Sequence, residues 1–179
     1  MKTARAFTLI ELLIVLAIIG ILAAIATVNF QEAQVRAKTA RVRSDMRTLA
    51  GALESYRVDN PAYPLAYAAQ GDLMITHPLN VITTPIAYAT TVPPDPFGIA
   101  SYNFNPNLKG EGHYYYRDAA STSVGLASQT FGYIWQELPE KKYFLHSSGP
   151  NRIYDVVPYI EYDPTNGTVS TGDITRFGP

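Results

Sequence analysis

The sequence predicts an α+β fold in which a long N-terminal helix, apolar over its first half, packs on a small antiparallel β-sheet head. The first observation is that residues 7–30 hold a single charge, Glu11, and that no proline occurs before Pro61. The second is an abrupt change at that proline, since 12 of the 13 tyrosines and all 13 prolines lie at or beyond residue 61. Helix interiors exclude proline, whereas aromatic residues favour strands. We therefore expect one helix followed by a separate β-rich head.

Residues 7–30 are long and apolar enough to cross a membrane. As a helix, these 24 residues would extend roughly 36 Å, which exceeds the hydrocarbon thickness of about 30 Å. A carboxylate within such a segment is costly and is usually retained for a function. Glu11 is therefore the first candidate functional residue.

Residues 31–60 carry the pattern of an amphipathic helix that continues the apolar one. Six apolar residues recur at spacings of three, four or seven, which places them on one helix face; they are Val35, Val42, Met46, Leu49, Leu53 and Tyr56. A single helix over residues 7–58, roughly 78 Å long, is therefore predicted, with this face turned to the head.

The head contains four short runs rich in aromatic and β-branched residues, which are typical of strands. They span residues 113–117, 130–135, 142–146 and 159–162, and residues 62–100 form a long irregular connection before them. Residues 163–167, Asp-Pro-Thr-Asn-Gly, predict a turn, because proline presets φ and Asn-Gly accepts positive φ. The predicted head is a small antiparallel sheet.

Composition gives no support for catalysis or for nucleic-acid binding. The net charge is −1 and the chain has no cysteine, which excludes thiolate catalysis and disulfides. His77, His113 and His146 lack the spacing of metal ligands, and neither a phosphate-binding loop nor a nucleophile elbow occurs. We therefore expect a protein that is not an enzyme.

The start of the chain resembles the class III signal of type IV pilins and type II secretion pseudopilins. A short basic segment, MKTARA, precedes Phe7-Thr8-Leu9-Ile10-Glu11 and the apolar helix. The resemblance implies that a prepilin peptidase cuts between Ala6 and Phe7 and methylates the new amine of Phe7, and that Glu11 is the retained acid of the family. The family usually has glycine where Ala6 stands. A Sec signal peptide cleaved after Ala24-Ile25-Ala26 is the alternative.

Two further segments resemble major pseudopilins. Residues 44–64 carry the A-L-x-x-Y and D-N-x-x-Y-P order, and residues 94–98 read Pro-Asp-Pro-Phe-Gly where the family has D-P-W-G. Val28 occupies the position at which many members have a proline. The resemblance implies a type IV pilin-like fold with a leader at 1–6, a transmembrane and filament-core helix at 7–30, an amphipathic helix at 31–60 and a globular head at 61–179.

The function implied by this resemblance is that of a structural subunit of a type II secretion pseudopilus. Its expected partners are further copies of itself, the prepilin peptidase, the inner-membrane assembly platform, minor pseudopilins and membrane lipid. The expected location is the bacterial inner membrane, with a cytoplasmic N-terminus and a periplasmic head, although the five basic residues after the apolar segment would favour the opposite orientation by the positive-inside rule. A surface type IV pilin and a membrane-anchored envelope binding protein are the alternatives.

The C-terminal part is rich in oxygen-bearing side chains, the ligands that Ca²⁺ prefers. Major pseudopilins carry a calcium-binding loop after a Y-x-x-x-S-x-G strand end, and Tyr143 to Gly149 is similar to that strand end. The resemblance makes Ser147, Asn151 and Asp155 candidate ligands, with Asp173 closing the site from the tail. The alternative is an ordinary use of these side chains in turns and caps.

Overall fold

The computed structural model describes residues 7–66, 78–98, 112–122, 138–153, 160–166 and 171–179. Helix α1 spans Leu9–Asp59, and a short helix α2 spans Ala119–Thr122. Strands β1 (Tyr115–Asp118), β2 (Tyr143–Ser147) and β3 (Ile174–Phe177) form one antiparallel sheet in the order β1-β2-β3. Two 3₁₀ turns, Pro78–Ile82 and Pro164–Asn166, complete the described elements. The predicted fold, a long helix against a small antiparallel sheet, is confirmed.

The first half of α1 stands clear of the head. Every large apolar side chain from Phe7 to Phe30 is at least 46% exposed, and the helix runs without interruption through Gly20 and Val28. Among the described residues, α1 is the one helix whose length and composition would allow it to cross a membrane. An apolar surface of this length and exposure requires lipid or other helices around it.

The second half of α1 packs on the head through the predicted stripe. Val42, Met46, Leu49 and Leu53 are each at most 1% exposed, while Val35 and Tyr56 are partly buried against the same core. The head contributes to this core from the 3₁₀ turn at 78–82, from the inner face of the sheet, and from Phe97, Tyr114 and Tyr162. The stripe therefore orients the helix as the sequence predicted.

Both faces of the sheet are covered at β1 and β2, where every residue is buried. Tyr115 of β1 is paired with His146 of β2, and Asp118 with Tyr143. Ser147, at the end of β2, is paired with Ile174 at the start of β3. Because side chains alternate along a strand, Leu145 and Ser147 face the helix, whereas Phe144 and His146 face the opposite side.

The predicted strands were correct in part. The runs at 113–117 and 142–146 correspond to β1 and β2, each displaced by one or two residues, and the run at 130–135 lies outside the described residues. The predicted strand at 159–162 is wrong over the three of its residues that are described, because Glu161 makes only an isolated parallel bridge to Asp173. Strand β3 was not predicted, since its four residues are too short for an alternating pattern to stand out.

The Pro94–Gly98 segment forms a tight turn that leads into the sheet. The Asp95 carboxylate accepts a hydrogen bond from the Phe97 amide at 2.9 Å, and Gly98 adopts a positive φ of 57°. Pro94 forms an isolated antiparallel bridge with His113, which lies two residues before β1. This turn places the buried Phe97 ring in the core of the head, with the Lys38 ammonium 6.0 Å from its centroid.

Candidate functional site

The N-terminus of α1 is closed by a reciprocal pair of side chains, Thr8 and Glu11. The Glu11 Oε2 atom accepts hydrogen bonds from the Thr8 amide at 2.8 Å and from the Thr8 hydroxyl at 2.7 Å. In return, the Glu11 amide donates to the Thr8 hydroxyl at 3.3 Å. The two residues thus form a capping box, which satisfies helix N–H groups that have no partner within the helix.

The capping box explains how a carboxylate can reside at the end of an apolar helix. A charged group without hydrogen bonds is very costly in an apolar medium, and Glu11 receives two hydrogen bonds from its own chain. Phe7, directly before the cap, is 78% exposed, and Ala6 lies outside the described residues. Glu11 is therefore accommodated in the single chain while its side chain stays at the exposed surface of the helix.

The calcium candidates that the structure describes lie around the β2–β3 end of the sheet. Ser147 and Asp173 are both completely buried. The Asp173 Oδ2 atom is 3.6 Å from Nε2 of His146, so this carboxylate lies on the face of the sheet opposite the helix. Ser147 lies on the helix side, beside Asp95. The two side chains therefore approach the same strand end from opposite faces.

The loop after β2 nevertheless touches the segment that carries Asp173. Gly149 adopts a φ of 65°, and a Cβ there would lie 2.7 Å from the Gly172 carbonyl oxygen. The Asn151 side-chain oxygen accepts a hydrogen bond from the Ile153 amide at 3.1 Å, and Asp155 lies outside the described residues. Within the described part of the chain, no three acidic or histidine side chains are grouped to hold a metal. The described donors alone fall short of the six to eight oxygens that Ca²⁺ takes.

Two buried ionisable groups near this strand end, His146 and Asp95, have shifted pKa values. Burial lowers the pKa of His146 to about 3, so its ring is neutral, and it packs edge-on against Tyr115 with ring centroids 6.3 Å apart. Burial raises the pKa of Asp95, and the hydrogen bond from the Phe97 amide opposes that change. His146 is therefore buried as a neutral ring between β1 and the segment that carries Asp173.

The sequence analysis missed the contacts that orient the head on the helix. Tyrosine hydroxyls of the head donate to three acidic residues of α1, and the four bonds are Tyr63 and Tyr143 to Glu54, Tyr114 to Asp45, and Tyr88 to Asp59, all at 2.8–2.9 Å. The high tyrosine content was visible in the sequence. The pairing was not, because the partners are up to 89 residues apart.

A long helix with a bare apolar half and a capped acid at its start, carrying an α+β head, defines a pilin-like subunit. Residues 1–27 match the family described as "Prokaryotic N-terminal methylation motif", and residues 29–119 match the family described as "Type II secretion system (T2SS), protein G". The second match covers half of the chain and includes the head up to the end of β1. The chain belongs to the type II secretion system protein G family.

Individual relatives agree with the family. The type II secretion system core protein G of Klebsiella pneumoniae is 39% identical over 64 residues, which is 36% of this chain and 46% of that protein. The protein of the same name from Pseudomonas aeruginosa is 32% identical over 107 residues, 58% of this chain and 75% of its own. The type IV major pilin protein PilA of Myxococcus xanthus is 48% identical over 59 residues, which is 33% of this chain and 27% of that protein. No solved structure gives a significant match.

Proposed function

We propose that this protein is a structural subunit of a type II secretion pseudopilus and performs no catalysis itself. The observation that carries the proposal is the exposed apolar half of α1, which begins at the Thr8–Glu11 capping box and continues directly into the helix that supports the head. A surface of this kind is stable in a bilayer and, after extraction, within a bundle of identical helices. The same helix would then serve first as a membrane anchor and later as the filament core.

The proposed maturation begins in the bacterial inner membrane. Residues 1–6 act as a leader on the cytoplasmic side, residues 7–30 span the membrane, and the head at 61–179 is periplasmic. Residues 31–60 continue the spanning helix into the head. Prepilin peptidase cuts between Ala6 and Phe7 and methylates the Phe7 amine. The capping box lies two residues beyond this cut and keeps the helix end ordered.

Assembly uses the same few residues. In the filament, the Glu11 carboxylate pairs with the positive amine of Phe7 on a neighbouring subunit and so sets the register between helices. Before assembly, the carboxylate accepts two hydrogen bonds from Thr8, and it can therefore remain in the membrane without a partner from another chain. The other partners are the inner-membrane assembly platform and minor pseudopilins.

A surface type IV pilin is the second candidate, and the Myxococcus xanthus match favours it. That match covers 33% of this chain, a length comparable to that of α1. The match to the protein G family, in contrast, extends to residue 119 and includes Pro94–Gly98 and β1. The head therefore favours the pseudopilus, while the helix is compatible with both filaments.

The test combines mass spectrometry of the N-terminus with electron microscopy of sheared assemblies. We expect a mature chain that begins at Phe7 with one added methyl group, together with filaments made of this chain. An N-terminus at Thr27 would establish a Sec signal peptide instead. A correctly processed chain that never polymerises would favour the envelope binding protein.

We also propose that the head binds Ca²⁺ at the loop after β2. Asp173, Asp155 and oxygens of residues 147–151 would hold the ion, which supplies a positive charge that links the tail to the sheet. The contact between Gly149 and Gly172 supports this arrangement, since it already joins the two segments.

A further inference from the structure

Two arginines on the exposed side of α1, Arg43 and Arg47, have no counter-charge within the described part of the chain. The other basic residues that follow the apolar half are engaged within the chain: Arg36 pairs with Glu32 at 2.7 Å, Arg41 with Asp45 at 3.6 Å, and Lys38 lies over the Phe97 ring at 6.0 Å. Arg43 and Arg47 are both exposed and are four residues apart. They therefore lie on one face, where like charges repel.

The lipid surface is too far away to supply the missing negative charge. Phe30 ends the apolar half, and on a straight helix Arg43 lies roughly 20 Å, and Arg47 roughly 26 Å, beyond it. At physiological ionic strength, attraction to a charged surface is screened within about 8 Å. Lipid headgroups at the Phe30 level therefore cannot neutralise this pair, and a negatively charged partner would have to lie beside this part of the helix.

A second copy of the chain offers the complementary charge. With residues 1–6 removed as proposed, residues 7–60 hold six basic and five acidic side chains, a net charge of +1, and residues 61–179 have a net charge of −4. Glu161 and Asp163 are exposed on the head. The backbone around Glu161 is held in place, because the Tyr162 amide donates to the Asp173 carbonyl at 2.9 Å. Asp163 accepts two hydrogen bonds from Thr165 at 2.8 Å, which orient its carboxylate.

The two charged surfaces lie at similar heights along the helix axis. Strand β2 starts with Tyr143, bonded to Glu54, and runs back toward the membrane-proximal part of α1, where Tyr114 is bonded to Asp45 at 2.8 Å. Strand β3 begins opposite the end of β2, and the Glu161 bridge to Asp173 lies directly before it. Two parallel copies with a small axial offset can therefore bring Arg43 and Arg47 of one against the acidic pair of the other.

We infer that Arg43 and Arg47 form a docking surface for Glu161 and Asp163 of a neighbouring copy in the filament. The inference rests on the proposed function, because polymerisation is what brings parallel copies side by side. Such contacts mainly specify orientation and partner. In this chain they would fix how each head is rotated relative to the next, whereas the apolar helices supply most of the buried surface.

The experiment measures filament yield from full-length variants expressed with the secretion machinery. Arg43→Glu with Arg47→Glu should lower the yield about tenfold, which corresponds to about 1.4 kcal/mol, while membrane insertion and cleavage stay normal. Adding Glu161→Arg with Asp163→Asn to this double variant should restore most of the filament yield. Asparagine is chosen at position 163 because its side-chain oxygen can still accept the hydrogen bonds from Thr165. Lys141→Glu with Lys142→Glu changes the charge equally on another surface and should leave the yield unchanged.

Cross-linking provides a second readout in filaments that do form. The chain has no cysteine, so Arg47→Cys with Glu161→Cys introduces the only thiols, and a short bismaleimide should yield a ladder of covalent multimers. Arg47→Cys with Lys142→Cys should not. Normal yield from the reversed arginines, or failure of both the rescue and the ladder, would overturn the inference. Absence of filaments from the unmodified chain would instead contradict the proposed function.

Discussion

The Tyr143 hydroxyl donates a 2.9 Å hydrogen bond to Glu54 Oε1, which joins the central strand of the sheet to the long helix. The Tyr63 hydroxyl occupies the other oxygen of the same carboxylate at 2.9 Å, and the two rings contact edge to face with centroids 4.9 Å apart. One helix carboxylate therefore binds both the chain that leaves α1 and the middle of the sheet. Because the carboxylate accepts from two directions, it fixes the rotation of the head about the helix.

Tyr143→Phe should lower the free energy of unfolding by about 1–2 kcal/mol, because it removes a hydrogen bond to a charged group and keeps the ring. The measurement is urea unfolding of the detergent-solubilised protein followed by circular dichroism. Tyr88→Phe is the matched control, since its 2.8 Å bond to Asp59 is exposed, and it should cost less. Equal losses for the two variants would contradict the proposed importance of Glu54.

The tyrosine contacts also predict alkaline unfolding of the head. Burial, together with the hydrogen bond to Glu54 and its charge, raises the pKa of Tyr63 to about 12, and burial raises the pKa of Tyr114, Tyr116 and Tyr143 as well. A raised folded-state pKa favours the neutral tyrosine, so this stabilisation is complete below the unfolded pKa of about 10 and is lost as the pH rises further.

We therefore expect the free energy of unfolding to fall between pH 10 and the folded-state pKa of about 12 given for Tyr63. Tyr63→Phe should make this fall shallower, because one proton fewer is released on unfolding. Denaturant titrations at several pH values, read together with tyrosinate absorbance, measure both effects. Tyrosines that all ionise near pH 10 without loss of the sheet would show that these contacts do not stabilise the head.

The sequence predicted the helix and its stripe because both depend on local periodicity. The spacing of Val42, Met46, Leu49 and Leu53 is sufficient to identify the buried face, and all four are buried. Strand β3 was missed because Ile174–Phe177 depends on pairing with β2, which is distant in sequence. Contacts such as Tyr114 with Asp45, 69 residues apart, likewise follow from tertiary packing and have no local pattern.

The candidate sites were also predictable to different degrees, depending on whether their residues are close together in the sequence. Thr8 and Glu11 are three residues apart, and their capping box follows from local helix geometry, although the sequence analysis identified Glu11 only as the retained acid of the family. Ser147 and Asp173 are brought to the same strand end by the sheet register. That their side chains lie on opposite faces could be known only once the register was established.

Gly149→Ala should destabilise the head by about 2 kcal/mol or more, because the left-handed backbone alone costs an L-residue about 1–2 kcal/mol. Gly149 has a φ of 65°, and an added Cβ would also lie 2.7 Å from the Gly172 carbonyl oxygen. Gly51→Ala is the matched control on α1, where nothing lies within 4 Å, and it should stabilise the helix by about 0.5–1 kcal/mol. Thermal melting of the two variants should therefore shift in opposite directions. A neutral Gly149→Ala would refute the tight contact.

Glu11→Leu should leave membrane insertion intact or improved, since it removes a charge from an apolar segment. Filament assembly should fail, because loss of one partner of a buried ion pair costs about 3–5 kcal/mol. Thr8→Ser keeps a hydroxyl for the capping box and should assemble normally. Membrane fractionation and electron microscopy measure the two steps separately, and normal filaments from Glu11→Leu would exclude the register role.

The calcium proposal predicts a thermal shift that depends on one carboxylate. Binding to the folded form alone stabilises it by RT ln(1 + [L]/Kd), about 2.7 kcal/mol at a hundredfold excess over Kd. The detergent-solubilised protein should therefore melt at a higher temperature in millimolar Ca²⁺ than in chelator, and Mg²⁺ should do less because it requires a tighter octahedral shell. Asp155→Ala should remove most of the difference, whereas Asn151→Asp should enlarge it by adding negative charge to the loop. Identical melting with Ca²⁺ and with chelator would show that the contact between Gly149 and Gly172 and the tyrosine-rich core hold the tail without a metal.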